Sequence, residues 1–294
     1  MMLERYLNQR FSRSTVKYYL RDITIYLEDT GKDRAMHATW SEVMAYIENL
    51  RGRYSNANTV NRVLYAIKAY YSYLTDAGTR EDHPCRDIKL RDAKGKETQL
   101  QDLFTTGELE TLMQREERYS LAGARNQVII SLLIYQGVTA AEIANMHVTD
   151  IKLQEGSIYI KPTRKLKERT LALKPSQIML FYQYIQEVRP RLLKNAISEV
   201  FLLTLRGSAE TGEGIAYLLE TLRDKFPGRR LNPGTIRASV ISNLLKAGHD
   251  LRVVQVLAGH KKISSTERYR QGTSEAMKAA VVKYHPLNTT KHQE

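Results

Sequence analysis

The sequence predicts a mainly α protein with a small antiparallel β-sheet, organised as a helical N-terminal domain followed by a larger C-terminal domain. Three observations carry that prediction. Apolar residues recur at helical spacing through roughly the first eighty positions. Thr79 to Gln99 then loses periodicity and gathers mixed charge. Between Asp150 and Leu173 the period shortens to that of strands, and helices resume from Pro175.

Taken in order, Ser14 to Leu27 presents Val16, Tyr19, Leu20, Ile23 and Leu27 on one face, and Gly31 ends the helix. Trp40 to Leu50 repeats the pattern with Val43, Met44, Ile47 and Leu50. Asn58 to Leu74 does so with Val60, Val63, Leu64, Ile67, Tyr70, Tyr71 and Leu74, stopped by Gly78. The stretch with Pro84 and Lys89-Leu-Arg-Asp-Ala-Lys-Gly-Lys-Glu reads as an exposed interdomain segment. The expected boundaries are residues 1–88, a linker at 89–102 and residues 103–294. In the second domain, Thr105 with Glu108 and Thr139 with Glu142 form capping boxes for helices through Met113 and Met146. Arg125 to Gln136 is an apolar helix closed by Gly137. Short strands are expected at Asp150–Leu153, Ser157–Lys161 and Arg169–Leu173, with a basic hairpin tip, Pro162-Thr-Arg-Lys-Leu-Lys-Glu, between the last two. Val200 to Leu203 is a short apolar run of undecided type. Further helices are expected at Pro175–Val188, Ile215–Phe226, Asn232–Ala247, Leu251–Ala258 and Ser264–Tyr284.

Composition narrows the function classes. A hydrophobic share of 42% is enough to build cores, and a charged share of 26% argues against wholesale disorder. The net charge of +13 makes a polyanion the leading partner. Cys85 is the single cysteine, which excludes an internal disulfide and a cysteine-based zinc site and suits a reducing cytoplasm. The segment Met1 to Arg13 has no apolar run of the signal-peptide kind, and no stretch reaches the roughly 18 apolar residues of a membrane span.

The candidate chemistry lies between Asn232 and Tyr269. Arg237 stands in Leu-Asn-Pro-Gly-Thr-Ile-Arg-Ala-Ser, His260 ends Leu251-Arg-Val-Val-Gln-Val-Leu-Ala-Gly-His, and Tyr269 ends Ile-Ser-Ser-Thr-Glu-Arg-Tyr. This segment resembles the C-terminal signature of the tyrosine recombinases, the phage-integrase and Xer-type site-specific recombinases. The likeness extends over nearly the whole chain, through Gly137 to Asp150, the hairpin and the helical N-terminal domain. It implies a core-binding domain ahead of a catalytic domain, and strand exchange in which a tyrosine displaces a 5′-hydroxyl and leaves a 3′-phosphotyrosyl bond. The bond energy is kept, so neither metal nor ATP nor another cofactor is implied.

By the resemblance Tyr269 is the nucleophile, Arg237 the second of two phosphate-clamping arginines and His260 a donor to the phosphate. The acid that protonates the leaving oxygen maps to Lys165 or Arg164; Lys165 is preferred because a guanidinium holds its proton too tightly. A phenol with a pKa near 10 needs a positive surrounding or a base to attack. Preorganised donors answer the charge gathering on the phosphate oxygens, each contributing on the order of 3 kcal/mol. The family's partners are double-stranded DNA and further copies of the chain, assembled as a tetramer on two sites; by the resemblance the apolar helix stripe after Tyr269, through Ala279-Ala-Val-Val, docks on a neighbour, the alternative being a helix that packs within its own chain.

Two positions depart from the family pattern. Gly137-Val-Thr-Ala-Ala-Glu-Ile carries Thr139 where the first clamping arginine is expected, and Pro233-Gly-Thr-Ile-Arg carries Gly234 where a histidine is expected. Either another basic residue, Arg164 or Lys161, fills the gap in an active enzyme, or the chain binds DNA as a catalytically impaired accessory protein of the same fold. A helix-turn-helix regulator beginning at Thr139-Ala-Ala-Glu-Ile-Ala is disfavoured, because Val148 stands where the turn glycine belongs and strands follow.

Overall fold

A computed structural model describes residues 2–91, 103–114, 119–194 and 196–270. The chain divides into two compact units, Met1–Glu97 and Thr98–Glu294. In the first, helices α1 (Leu3–Arg10), α2 (Arg13–Thr30), α3 (Lys32–His37), α4 (Trp40–Arg53) and α5 (Ala57–Asp76) bury their apolar stripes on one another. The long helices follow the periodicity, and Gly31, at φ 85°, ends α2. Thr39 and Glu42 cap α4 reciprocally; this box and the short helices α1 and α3 are not expected from the apolar periodicity. At the centre, the buried hydroxyls of Tyr26 and Tyr71 lie 2.6 Å apart, and Tyr71 Oη donates to the Ala35 carbonyl at 2.7 Å. Two tyrosines thus enter the core without an unsatisfied hydroxyl.

Residues 79–90 are not the exposed connection expected. Cys85 and Ile88 are buried in the helical core. Lys68 Nζ donates to the carbonyls of Arg86 at 2.8 Å and Ile88 at 2.6 Å, and Arg80 Nη1 to that of Met36 at 2.9 Å. Apolar content was too sparse to show a period, but two anchors and three side-chain-to-backbone bonds suffice to hold an irregular segment. Residues 92–102 of the expected linker lie outside the described residues.

The second unit is built around α7 (Ser120–Gln136), whose residues from Val128 to Ile134 are all buried. A helix apolar on every side belongs inside a layered core. Around it stand α6 (Thr106–Glu110), α9 (Pro175–Gln183), α11 (Gly212–Glu220) and α12 (Pro233–Lys246), with α8 (Ala140–Ala144), α10 (Arg189–Leu193), α13 (Leu251–Ala258) and α14 (Ser264–Glu267) completing the helices. Both expected capping boxes form, at Thr105–Glu108 and Thr139–Glu142. Strands β1 (Ile151–Lys152), β2 (Ser157–Ile160) and β3 (Arg169–Ala172) make an antiparallel sheet in sequence order, with Ile158 opposite Leu171 and Ile160 opposite Arg169. Val200 and Leu203 make isolated bridges to His147 and Ala209 in a run that is buried from Phe201 to Leu203.

Several helices stop earlier than expected: α6 gives way at Glu110 to a 3-10 turn through Gln114, α8 ends at Ala144, and α9 passes at Tyr184 into a π-helical turn to Val188. The one anticipated to Phe226 stops at Glu220, and a single 3-10 turn follows at Arg223–Lys225. The one anticipated from Ser264 to Tyr284 stops at Glu267, because the N–H groups of Tyr269 and Arg270 turn back to Thr266 and Glu267 in i→i+3 bonds of 3.0 and 2.8 Å. The remainder of that helix, including Ala279-Ala-Val-Val, lies outside the described residues.

Leu133 is fully buried in the main core. Leu133→Ala is expected to lower unfolding free energy by about 2–5 kcal/mol, read as a lower urea midpoint at unchanged slope.

Candidate active site

Four chain segments converge where α7 ends, α8 begins, α13 ends and the hairpin turns. Gly137, at φ 59°, caps α7, and Gly259, at φ 70°, caps α13. A helix C-terminus leaves carbonyls without partners, and here two arginines and a backbone amide take those of α13. Arg169 Nε donates to the Leu257 carbonyl at 2.6 Å, Arg237 Nη2 donates to that of Ala258, and Lys167 N donates to that of Gly259 at 2.8 Å.

Arg237 reaches this point from α12. Its Nη1 donates to the Gly137 carbonyl at 2.7 Å, so one guanidinium ties the ends of α7 and α13 together. It is only 7% exposed. Burial pushes its pKa down from the ordinary arginine value, and the nearby Glu142 opposes that shift. Of the five donors of a guanidinium, those not used on the two carbonyls have no protein acceptor among the described residues. A buried cation with donors to spare is suited to an anion.

His260 follows the Gly259 cap. Its backbone N–H bonds to the Gln255 carbonyl at 3.0 Å, and Gln255 Nε2 donates to the His260 carbonyl at 3.0 Å. Nδ1 lies 2.9 Å from Thr266 Oγ1. Burial, followed by Arg237, Arg268 and Arg169, lowers the imidazole pKa to about 4, so the ring is neutral at physiological pH. Tyr269 stacks beside it, with ring centroids 6.2 Å apart and planes 13° from parallel. The half-buried phenol also rests on the apolar cluster of Ile241, Val254 and Ala258, and lies within electrostatic reach of Arg237. The structure therefore brings Arg237, His260 and Tyr269 together.

The hairpin places its basic residues differently. Thr163 and Leu166 close the turn, with Thr163 N to the Leu166 carbonyl at 2.9 Å and Leu166 N to Thr163 Oγ1 at 3.0 Å. Arg164 and Lys165 are exposed on the bend between them. Leu166 forms a backbone bridge to His260, and Lys261 Nζ donates to the Arg164 carbonyl at 2.9 Å, so the bend is tied to the chain that follows α13. Lys161 is committed elsewhere, 3.1 Å from the buried Asp150 carboxylate.

Thr139 is occupied as a cap. Its N–H and hydroxyl both donate to Glu142 Oε2, at 2.8 and 2.9 Å, and its oxygen accepts from Glu142 N at 3.2 Å. Gly234 lies in the first turn of α12, where an added Cβ would stand 3.1 Å from the capping Asn232 Oδ1.

A buried ion pair supports the site and was missed in the sequence. Arg169 Nη1 lies 2.7 Å from Glu142 Oε1, and the two side chains are 2% and 1% exposed. Burial alone would raise the Glu142 carboxyl, but Arg169, the Thr139 N–H and Arg237 hold it below the usual range. The pair leaves no room beyond a hydrogen at position 259, where a Cβ would stand 2.7 Å from Arg169 Nη1. One signal was available: strand alternation puts Arg169 on the same inward face as Leu171.

A helical unit preceding a mixed unit, with guanidinium, imidazole and phenol gathered at the end of α13, is the architecture of a tyrosine recombinase. The chain belongs to the phage integrase family: that family's model matches residues 103–275, and the model of the phage integrase N-terminal SAM-like domain matches residues 3–78. It is similar to tyrosine recombinase XerC of Oceanobacillus iheyensis, 27% identical over 278 residues that cover 92% of this chain and 90% of the relative. It is also similar to a tyrosine recombinase XerD of Staphylococcus epidermidis, 25% identical over 295 residues covering 97% and 98%. The fold matches XerH bound to a palindromic difH substrate in a post-cleavage complex (TM-score 0.70, 19% identity, 91% of this chain and 79% of that one). It also matches a lambda integrase dimer bound to a COC′ core site (TM-score 0.65, 14% identity, 92% and 93%). No helix among the described residues is long and apolar enough to cross a membrane.

The neutral imidazole has a consequence for stability. Its folded pKa of about 4 lies below the ordinary 6.5, so between those values the unfolded chain binds more protons. Stability conferred by the neutral ring is complete above about pH 6.5 and is lost as pH falls towards 4. The partly exposed site limits the loss to on the order of 1 kcal/mol. Urea unfolding at pH 7 and pH 4.5 should show a smaller acid loss in His260→Asn than in the parent, and equal losses would contradict a ring held neutral.

Proposed function

We propose that the chain is a site-specific DNA recombinase or integrase acting through a 3′-phosphotyrosyl intermediate, with Tyr269 as nucleophile. The observation that carries this reading is the buried Arg237, with unused donors, beside the stacked rings of His260 and Tyr269. A DNA phosphate offers non-bridging oxygens to Arg237 and to the imidazole. The phenolic oxygen bonds to phosphorus, the bond to the 5′-oxygen breaks, and Lys165 on the exposed bend supplies that oxygen with a proton. The phenolic proton leaves to solvent. Reversal by a second 5′-hydroxyl completes strand exchange with no change in bond count, so neither ATP nor a metal is needed. Residues 1–88 serve as the core-binding domain, 89–102 as a linker crossing the phosphate backbone and 103–294 as the catalytic domain. The site of action is the cytoplasm, and the working form is a tetramer pairing two duplexes.

A second reading has its own observation. Arg169, the other buried guanidinium, is committed to Glu142, and Thr139 to its capping box. The phosphate then has one guanidinium where the family pattern supplies two. A lost clamp of this kind costs on the order of a thousandfold in rate, and the chain would then act as a DNA-binding accessory protein of the same fold.

The test begins with DNA sites recovered by binding selection and rebuilt as nicked suicide substrates. The parent is expected to form a denaturation-resistant protein–DNA adduct, Tyr269→Phe to form none, and Thr139→Arg to form it up to about a thousandfold faster. An adduct from Tyr269→Phe rejects the nucleophile; adduct from Thr139→Arg alone, with none from the parent, establishes the accessory reading. Sedimentation on paired duplexes should show four chains per complex, and a persistent monomer–DNA species would reject the assembly.

A further inference from the structure

Thr266 takes no part in the phosphoryl transfer itself, yet it is the most completely buried polar side chain around His260, at 0% exposure. It sits in α14, between the two rings in sequence. Its carbonyl accepts the N–H of Tyr269 at 3.0 Å and its hydroxyl lies 2.9 Å from His260 Nδ1. Among the described residues that hydroxyl makes no other hydrogen bond. A buried hydroxyl whose proton finds no acceptor carries the full desolvation cost of the donor. Among the described residues the one acceptor it meets is the lone pair of Nδ1, and a neutral imidazole has one such lone pair. If Nδ1 instead carried the proton, the hydroxyl hydrogen would be left without a partner.

We propose that Thr266 is a positioning residue that fixes His260 in the tautomer with its proton on Nε2, so that the imidazole meets a phosphate as a hydrogen-bond donor. This rests on the recombinase reading for its function, though not for its geometry. The opposite tautomer presents a lone pair to an anionic oxygen and repels it. A freely rotating ring presents both edges. Burial, and then Arg237, Arg268 and Arg169 around the ring, keep it uncharged, with Glu142 as the opposing group, so the ring does not supply two donors by protonation near neutral pH. The choice of nitrogen therefore decides whether the ring helps or hinders. Because the same residue begins the turn that carries Tyr269, a single buried threonine sets both the orientation of the donor and the approach of the phenol.

The first test needs no DNA. In the full chain labelled with 15N-histidine, the His260 ring, assigned by its loss in His260→Asn, should show a pyrrole-type Nε2 and a pyridine-type Nδ1 at pH 7. Thr266→Ser should keep that pattern, and Thr266→Val should give a mixed one. A protonated Nδ1 in the parent, or an unchanged pattern in folded Thr266→Val, overturns the proposal. In the adduct assay, Thr266→Val should slow strand cleavage about tenfold at unchanged DNA affinity, and Thr266→Ser should restore it. The same substitution should be silent in a His260→Asn background, since its effect passes through the ring. Equal losses in both backgrounds would mark Thr266 as merely structural. An Nε2-protonated ring in a chain that never cleaves DNA would leave the tautomer assignment standing and remove the recombinase reading instead.

Discussion

The candidate site depends on how the carbonyls at the end of α13 are satisfied. Leu257, Ala258 and Gly259 each present a carbonyl with no partner inside the helix, and each receives a donor from a different part of the chain: β3, α12 and the hairpin. These bonds locate His260, which follows directly. They also lock Arg237 against Gly137, so a single cation joins two helix ends that the chain places far apart in sequence. The site is thus a by-product of capping. Carbonyls that would otherwise be unsatisfied are met by two guanidinium groups and a backbone amide, and Arg237 keeps donors to spare within electrostatic reach of Tyr269.

The Arg169–Glu142 pair belongs to the same logic. Removing two charges from water is costly, and it is offset here because almost every hydrogen-bonding position of both groups is used. Glu142 receives Arg169, the Thr139 amide and the Thr139 hydroxyl, and its field reaches Arg237 and His260. The carboxylate therefore sets the charge balance of a site that contains three arginines, while its sequence context marks it only as the third residue of a helix.

Much of the fold was legible because local rules and tertiary packing agree. The period of Val60, Val63, Leu64, Ile67 and Leu74 specifies α5, the capping boxes at Thr105 and Thr139 form as read, and the strands fall within two residues of expectation. Short elements escaped: α1 and α3 bury too few residues to establish a period, and the segment at 79–90 is held by Cys85, Ile88 and Lys68 rather than by pattern. The gathering of Arg237, His260 and Tyr269 was expected from motif resemblance, whereas Arg169 and Thr266 were not. Their importance lies in burial and partner geometry, which no local rule encodes. Gly259 stands between these cases: its positive φ suits a helix cap, but the crowding by Arg169 that also demands glycine there is a tertiary fact.

The turn that replaces the expected long helix after Ser264 has a mechanical meaning. A side chain in the interior of a helix is held by bonds on both sides, and moving it several ångströms requires melting a turn in each direction. Tyr269 instead follows a four-residue helix and is tethered through two single-turn amide bonds. Its aromatic ring leans on a small apolar patch separate from the main core. Displacing it costs local contacts and leaves the scaffold that orients the other groups intact. The two sides of the candidate site are thus built on different springs, the Arg237 side closed by charge and the Tyr269 side by a few carbon–carbon contacts.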